Sequence, residues 1–124
     1  MGQSFKDLVA WQRAIELTLA IYKLTSKFPD SERFGLTSQM RRAAVSVASN
    51  IAEGYGRSTK GEYVLFLGHA RGSCCELETQ LVIATGLNFG AAEALEPASR
   101  LCADVGRLLG HLMKSLRPKG SPGP

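Results

Sequence analysis

No apolar run in this chain approaches the ~20 residues a helix needs to cross a bilayer, so no membrane span is expected. Near the start, Lys6, Asp7, Arg13 and Glu16 interrupt any apolar segment of signal-peptide length, and a cytoplasmic location is the default expectation. Cysteine is scarce. Cys74, Cys75 and Cys102 form an odd set in no metal-ligand spacing, so Cys74 and Cys102 are expected to be small buried hydrophobes, not parts of a disulfide or zinc site. The two histidines, His69 and His111, stand apart from any ligand partner, and no metal or cofactor is expected. Aromatic residues make up 7% of the chain and sit mostly at core spacing, which argues against a platform for stacking bases. Strand patterns and solenoid repeats are missing as well. The stretch "GYGRSTKG" lacks the Lys-Ser/Thr order of a phosphate loop and follows a helical pattern instead of a strand.

What the chain does have is helical periodicity. Its 124 residues suffice for one domain, burying roughly two thirds of the unfolded surface around a single core. In the first segment, Leu8 to Lys27, the residues Leu8, Trp11, Ile15, Leu19 and Tyr22 recur at three- and four-residue spacing and are read as the core stripe. Ser4 with Asp7 fits a cap at its start, and Pro29 marks the break after it. A second strip of Ala10, Ala14, Leu17, Ile21 and Leu24 widens the apolar arc to about 200°, more than one bundle core requires.

The second segment centres on "QMRRAAVSVASNIAEGYGR". Leu36, Met40, Ala43, Val47 and Ile51 form its core stripe, and Gln39, Arg42, Ser46, Asn50 and Glu53 a narrow polar strip beside it. The back carries Arg41, Val45, Ala48 and Ala52, too small and apolar for an exposed face, so it is expected to pack against something. Gly54 and Gly56 are read as helix-end glycines, and Thr59 with Glu62 as the cap of the third helix. That helix, about Lys60 to Gly86, holds Tyr63, Leu67, Ala70, Cys74, Leu77, Leu81 and Ala84 at unbroken four-three spacing. His69, Ser73, Glu76 and Gln80 run alongside, where Arg41 or Arg42 could meet Glu76 or Glu78. A fourth helix is expected to begin between Ala91 and Pro97, with a core stripe of Leu95, Ala98, Cys102, Val105, Leu109, Leu112 and Leu116. These patterns predict an all-α, up-down-up-down antiparallel four-helix bundle over residues 1–116, followed by a flexible basic Pro/Gly tail over 117–124.

Charge is uneven. Residues 1–104 carry eleven Lys/Arg and eleven Asp/Glu, so the net +4 comes from Arg107, Lys114, Arg117 and Lys119. Such a patch suits nucleic acid or another acidic surface. Cations near a helix C-terminus also complement its dipole.

"FP" at Phe28-Pro29, Glu32, "GL" at Gly35-Leu36, the long block from Gln39 to Arg57, and "GSCCELETQL" at Gly72 to Leu81 closely resemble the four-helix bundle proteins related to those of 23S ribosomal RNA intervening sequences. The resemblance runs from about Phe5 to Leu116. It implies a homopentamer and leans toward a non-catalytic assembly; a similar protein accompanies the reverse transcriptase of diversity-generating retroelements, where a pentameric barrel binds nucleic acid and the enzyme. Five copies of this chain would pool about +20 of charge.

The functional expectation is therefore a non-catalytic homo-oligomer that binds RNA or DNA through phosphate contacts, with a protein-binding scaffold for an enzyme partner as the alternative. Candidate nucleic-acid contacts are Arg107, Lys114, Arg117 and Lys119, with Arg41, Arg42 and Arg57 as a second patch. Ala14, Leu17, Ile21, Val45, Ala48 and Ala52 are the candidate oligomer interface, and Gln39, Arg42, Ser46, Asn50 and Glu53 a structural polar strip. No small-molecule substrate is evident.

Overall fold

The computed structural model describes residues 4–117; Lys119 and nearly all of the Pro/Gly tail lie outside them. Four helices account for most of this span: α1 Val9–Thr25, α2 Leu36–Tyr55, α3 Lys60–Gly86 and α4 Ala92–Ser115. Their ends follow local chemistry. Ser4 and Asp7 form a reciprocal capping box on the short 3-10 turn Phe5–Asp7 that leads into α1. Glu32 of a second 3-10 turn, Asp30–Glu32, accepts the Leu36 amide at 3.0 Å through Oε1 and so satisfies a free donor at the start of α2. The Thr59 hydroxyl accepts the Glu62 amide at 3.1 Å and starts α3. After α3 the chain reverses through Asn88 and Gly90, whose φ values of 60° and 76° lie in the left-handed region. Pro97 sits inside α4, in its second turn, and has no main-chain N–H to give the Glu93 carbonyl.

Each helix packs on the next in the chain, α4 closes back on α1, and the two diagonal pairs stay apart. The pairing is legible in single contacts. Thr18 lies beside Ala44 and Thr25 beside Arg41. Ser46 meets Ser73 and Gly54 meets Phe66, while Cys74 meets Cys102 and Gly68 faces Met113. Numbering thus rises along one member of each pair as it falls along the other. α2 and α3 share the most extensive contact and α1 and α4 the least.

The core stripes of α2, α3 and α4 are buried essentially where their spacing puts them, with Leu36, Tyr63, Leu112 and Leu116 half-buried at its edge. α1 is turned the other way. Its buried side chains are Ala10, Ala14, Leu17, Ile21 and Leu24, and Ala14, Leu17 and Ile21 are 0% exposed, so these three cannot contact a second copy as the sequence suggested. Leu19, read as core, is 66% exposed, and Tyr22 is also exposed. Two apolar strips of equal period compete on α1, and the one with small residues at 10 and 14 lets the helix sit close to its neighbours, while the bulky Trp11, Ile15, Leu19 and Tyr22 are left along the edge.

Gly54 works differently from the expected helix-end role. It lies inside α2 and is buried; a Cβ there would stand 2.9 Å from the Phe66 Cβ and 3.1 Å from the Tyr63 carbonyl oxygen. Its missing side chain is what allows α2 and α3 to approach. Gly56 has φ −81°, an ordinary helical value that any residue adopts.

Candidate functional surfaces

The polar strip of α2 lies along its seam with α3. The Ser46 and Ser73 hydroxyls hydrogen-bond at 2.9 Å, and the Asn50 side-chain amide donates to the Ser46 carbonyl at 2.8 Å and to its hydroxyl at 3.0 Å. Glu53 pairs with Arg57 at 2.7 Å, and that guanidinium also lies 4.6 Å from the Phe66 ring centroid. Gln39 and Arg42 remain exposed. The anticipated pairing of Arg41 or Arg42 with Glu76 or Glu78 does not form: Arg41 turns toward α1, donating to the Thr25 hydroxyl at 2.9 Å and stacking 4.6 Å from the Tyr22 ring centroid. In the half-buried seam each hydrogen bond contributes about 1 kcal/mol. Ser46→Ala should therefore cost about 0.5 to 1.5 kcal/mol, measured as a shift in the urea unfolding midpoint, because both Ser73 and Asn50 lose a partner.

A groove between α1 and α2 gathers most of the exposed apolar surface of that side. One part, about 630 Å³, is lined by Tyr22, Arg33, Phe34, Thr37, Ser38, Arg41, Arg42, Val45 and Ser46. It continues past Val45 into a part of about 310 Å³ lined by Trp11, Ile15, Thr18, Ala48, Ser49 and Ala52. Of the three candidate interface residues on α2, Val45 is exposed and Ala52 half-buried, whereas Ala48 is buried and offers only the groove floor. Phe34, which the sequence reading passed over, is 88% exposed. The guanidiniums of Arg33, Arg41 and Arg42 meet no carboxylate among the described residues, whose ion pairs are Arg13–Glu16, Arg57–Glu53 and Arg107–Asp104.

The outward face of α4 is basic. Arg100, Arg107 and Lys114 recur every seven residues, with exposed His111 on the same side. Arg71 reaches across from α3 and lies over Gly110. Between Pro97 and Arg117 the one carboxylate is Asp104, which pairs with Arg107. Arg117 is half-buried beside Lys60 at the end of the bundle. Sequence reading found Arg107, Lys114 and Arg117 but did not single out Arg71 and Arg100; the heptad spacing from 100 to 114 was the available signal.

Cys74 and Cys102 are buried and Cys75 is exposed. The Cys102 thiol donates to the Cys74 carbonyl at 3.5 Å, and its hydrogen bonding to Cys74, together with burial, pushes it well above the usual thiol range. Such a thiol is a poor nucleophile. Among the described residues no three His, Cys, Asp or Glu side chains gather closely enough to hold a metal ion, and no helix is long and apolar enough to cross a membrane.

Fold and surfaces together define an all-helical, four-helix protein with a polar-zipped α2/α3 seam, an apolar groove and a basic face. The chain belongs to the 23S rRNA-intervening sequence protein family, whose sequence profile matches residues 6–111. Among solved structures, a protein of unknown function from the S23 ribosomal protein family of Bacteroides thetaiotaomicron VPI-5482 is similar, with a TM-score of 0.77 at 20% identity over 86% of this chain and 99% of that one. That likeness establishes the fold. No curated protein matches the chain.

Proposed function

We propose that this protein is a non-catalytic, up-down-up-down antiparallel bundle that assembles as a homo-oligomer and contacts RNA or DNA through the outward face of α4. The opposed numbering of neighbouring helices supports the topology. The observation that carries the nucleic-acid reading is the row Arg100, Arg107 and Lys114, flanked by Arg71, with Asp104 the one carboxylate within its span and Glu93 and Glu96 preceding it in the first turns of α4. Fourteen residues of helix place these cations along ~21 Å, a span that follows a phosphate backbone and reads no base. Repetition of the row in each copy multiplies a modest field into a strong one. Arg57 is committed to Glu53 and Phe66, and Arg41 to α1, so both are weaker candidates than the α4 row.

The test is a titration of labelled structured RNA at two salt concentrations with the chain and with its Arg100→Gln, Arg107→Gln, Lys114→Gln variant. All three side chains are exposed, so the variant should fold normally. Binding should weaken about 100-fold at low salt, and the slope of log affinity against log salt should fall by about three. Absence of binding by the unmodified chain at low salt removes the nucleic-acid reading and favours a scaffold for an enzyme partner.

A further inference from the structure

The outward side of α3 is almost free of charge. A helix lying on the surface of a bundle normally turns Lys and Glu away from the core. Here the positions opposite the buried stripe carry Leu65, Gly72, Cys75, Thr79, Val82 and Ile83, with Leu87 just past the helix end. Val82 is 72% exposed, and Leu65, Ile83 and Leu87 are exposed with it. The face thus presents several large apolar side chains to solvent along one helix.

Gly72 fits that face, although an open helical glycine is not confined to it, since Gly106 of α4 is equally open. Glycine within a helix costs about 1 kcal/mol relative to alanine. At Gly54 that cost is offset by the close approach of Phe66, but a Cβ at Gly72 would meet nothing within 4 Å, so nothing inside the subunit offsets it. Gly86, further along the same side, is equally open. Bare backbone in the middle of an apolar face admits a bulky side chain from outside.

Charge identifies what arrives. Glu62 and Glu76 flank the α3 face on its α2 side and have no cationic partner among the described residues, while Glu78 shares the α4 side with Arg71 seven residues before it. The α1/α2 groove has the opposite character: exposed Tyr22, Phe34 and Val45, rimmed by Arg33, Arg41 and Arg42 without carboxylate partners. We propose that the α3 face of one copy docks into the α1/α2 groove of the next, a head-to-tail contact that pairs two different surfaces of the same chain. This rests on the homo-oligomer reading and assigns its two faces. A heterologous contact of this kind leaves one free surface of each type on every dimer, so assembly proceeds until a ring closes. It covers the groove arginines and leaves the α4 row open to solvent.

Two variants test the assignment: Val45→Lys in the groove and Val82→Lys on α3, both at exposed positions and both checked for native helix content by circular dichroism. Light scattering should give the unmodified chain a mass that is a multiple of 13.3 kDa and each variant the mass of a monomer. An equimolar mixture of the two should form a one-to-one dimer and stop there, because only one intact groove and one intact α3 face remain to meet. Alkylation of Cys75 by iodoacetamide should be at least about tenfold slower in the assembled chain than in Val45→Lys, although that substitution lies on the other side of the subunit. A monomeric unmodified chain would overturn the homo-oligomer reading itself. An assembled chain whose mass survives Val82→Lys would overturn only the α3 assignment, and monomeric variants that fail to pair, or equal alkylation rates, would show that the two faces do not meet each other.

Discussion

Leu17→Ala should lower folding stability by about 2 to 5 kcal/mol, the range for removing a large side chain from a packed interior, while Leu19→Ala, two residues on, should change it by less than about 0.5 kcal/mol at low protein concentration. Leu17 is fully buried against the other helices and Leu19 is mostly exposed, although both are leucines on the same helix and both lie on strips of helical period. Urea midpoints measured over a range of protein concentrations provide the check. The Leu17→Ala deficit should persist at every concentration, because its cavity lies within one subunit, whereas the homo-oligomer proposed above would confine any Leu19→Ala deficit to concentrations at which copies associate. Equal effects of the two substitutions at low concentration would mean that α1 is rotated from the orientation described above.

Gly54→Val should be at least as damaging, with a cost of about 3 kcal/mol or more. Two terms oppose one another. Leaving glycine in a helix gains at most about 1 kcal/mol of propensity, less for a β-branched residue. Against this, a Cβ at this position stands 2.9 Å from the Phe66 Cβ and 3.1 Å from a main-chain oxygen, neither of which is the loose end of a side chain. Accommodation means moving α3 away from α2, which also strains the Ser46–Ser73 hydrogen bond two turns along. Overpacking of this kind costs about 1 to 3 kcal/mol for one methylene, and valine adds three carbons. Gly56→Val, two residues later, has only ordinary contacts nearby and should cost far less, so the difference in thermal midpoint between the two variants isolates the close approach from any general effect of losing a glycine.

How much of this was legible beforehand depended on whether a helix offers one apolar strip or two. α4 has a single stripe opposite a charged face, so period alone places Cys102 and Leu109 inside and Arg107 and Lys114 outside. The core sides of α2 and α3 were also read correctly although neither stripe has a charged back: their spacing put Met40, Val47, Leu67 and Leu77 inside. On α1 the strips through Leu17 and through Leu19 are both apolar and both periodic, and choosing between them needs the shapes of the neighbouring helices, which no pattern within α1 encodes. The back of α3 was overlooked because attention to its polar strip at Ser73 and Glu76 hides that the next positions around, Gly72, Cys75 and Thr79, carry no charge. Gly54 reads in the sequence as a helix-end glycine like Gly56, and its actual reason, the close approach of a residue twelve positions away, becomes visible only once α3 folds back.

The unequal seams also bear on how the chain reaches its native state. α2 and α3 are joined by the four residues 56–59, and they form the broadest contact in the molecule, whereas α1 and α4 come together from opposite ends of the sequence along the narrowest one. Closing a short loop between adjacent helices loses little chain entropy, and closing one that spans nearly the whole chain loses more. The α2/α3 hairpin is therefore the natural kinetic nucleus, and docking of α4 against α1 the late step, so perturbations in the first retard refolding and those in the second chiefly hasten unfolding.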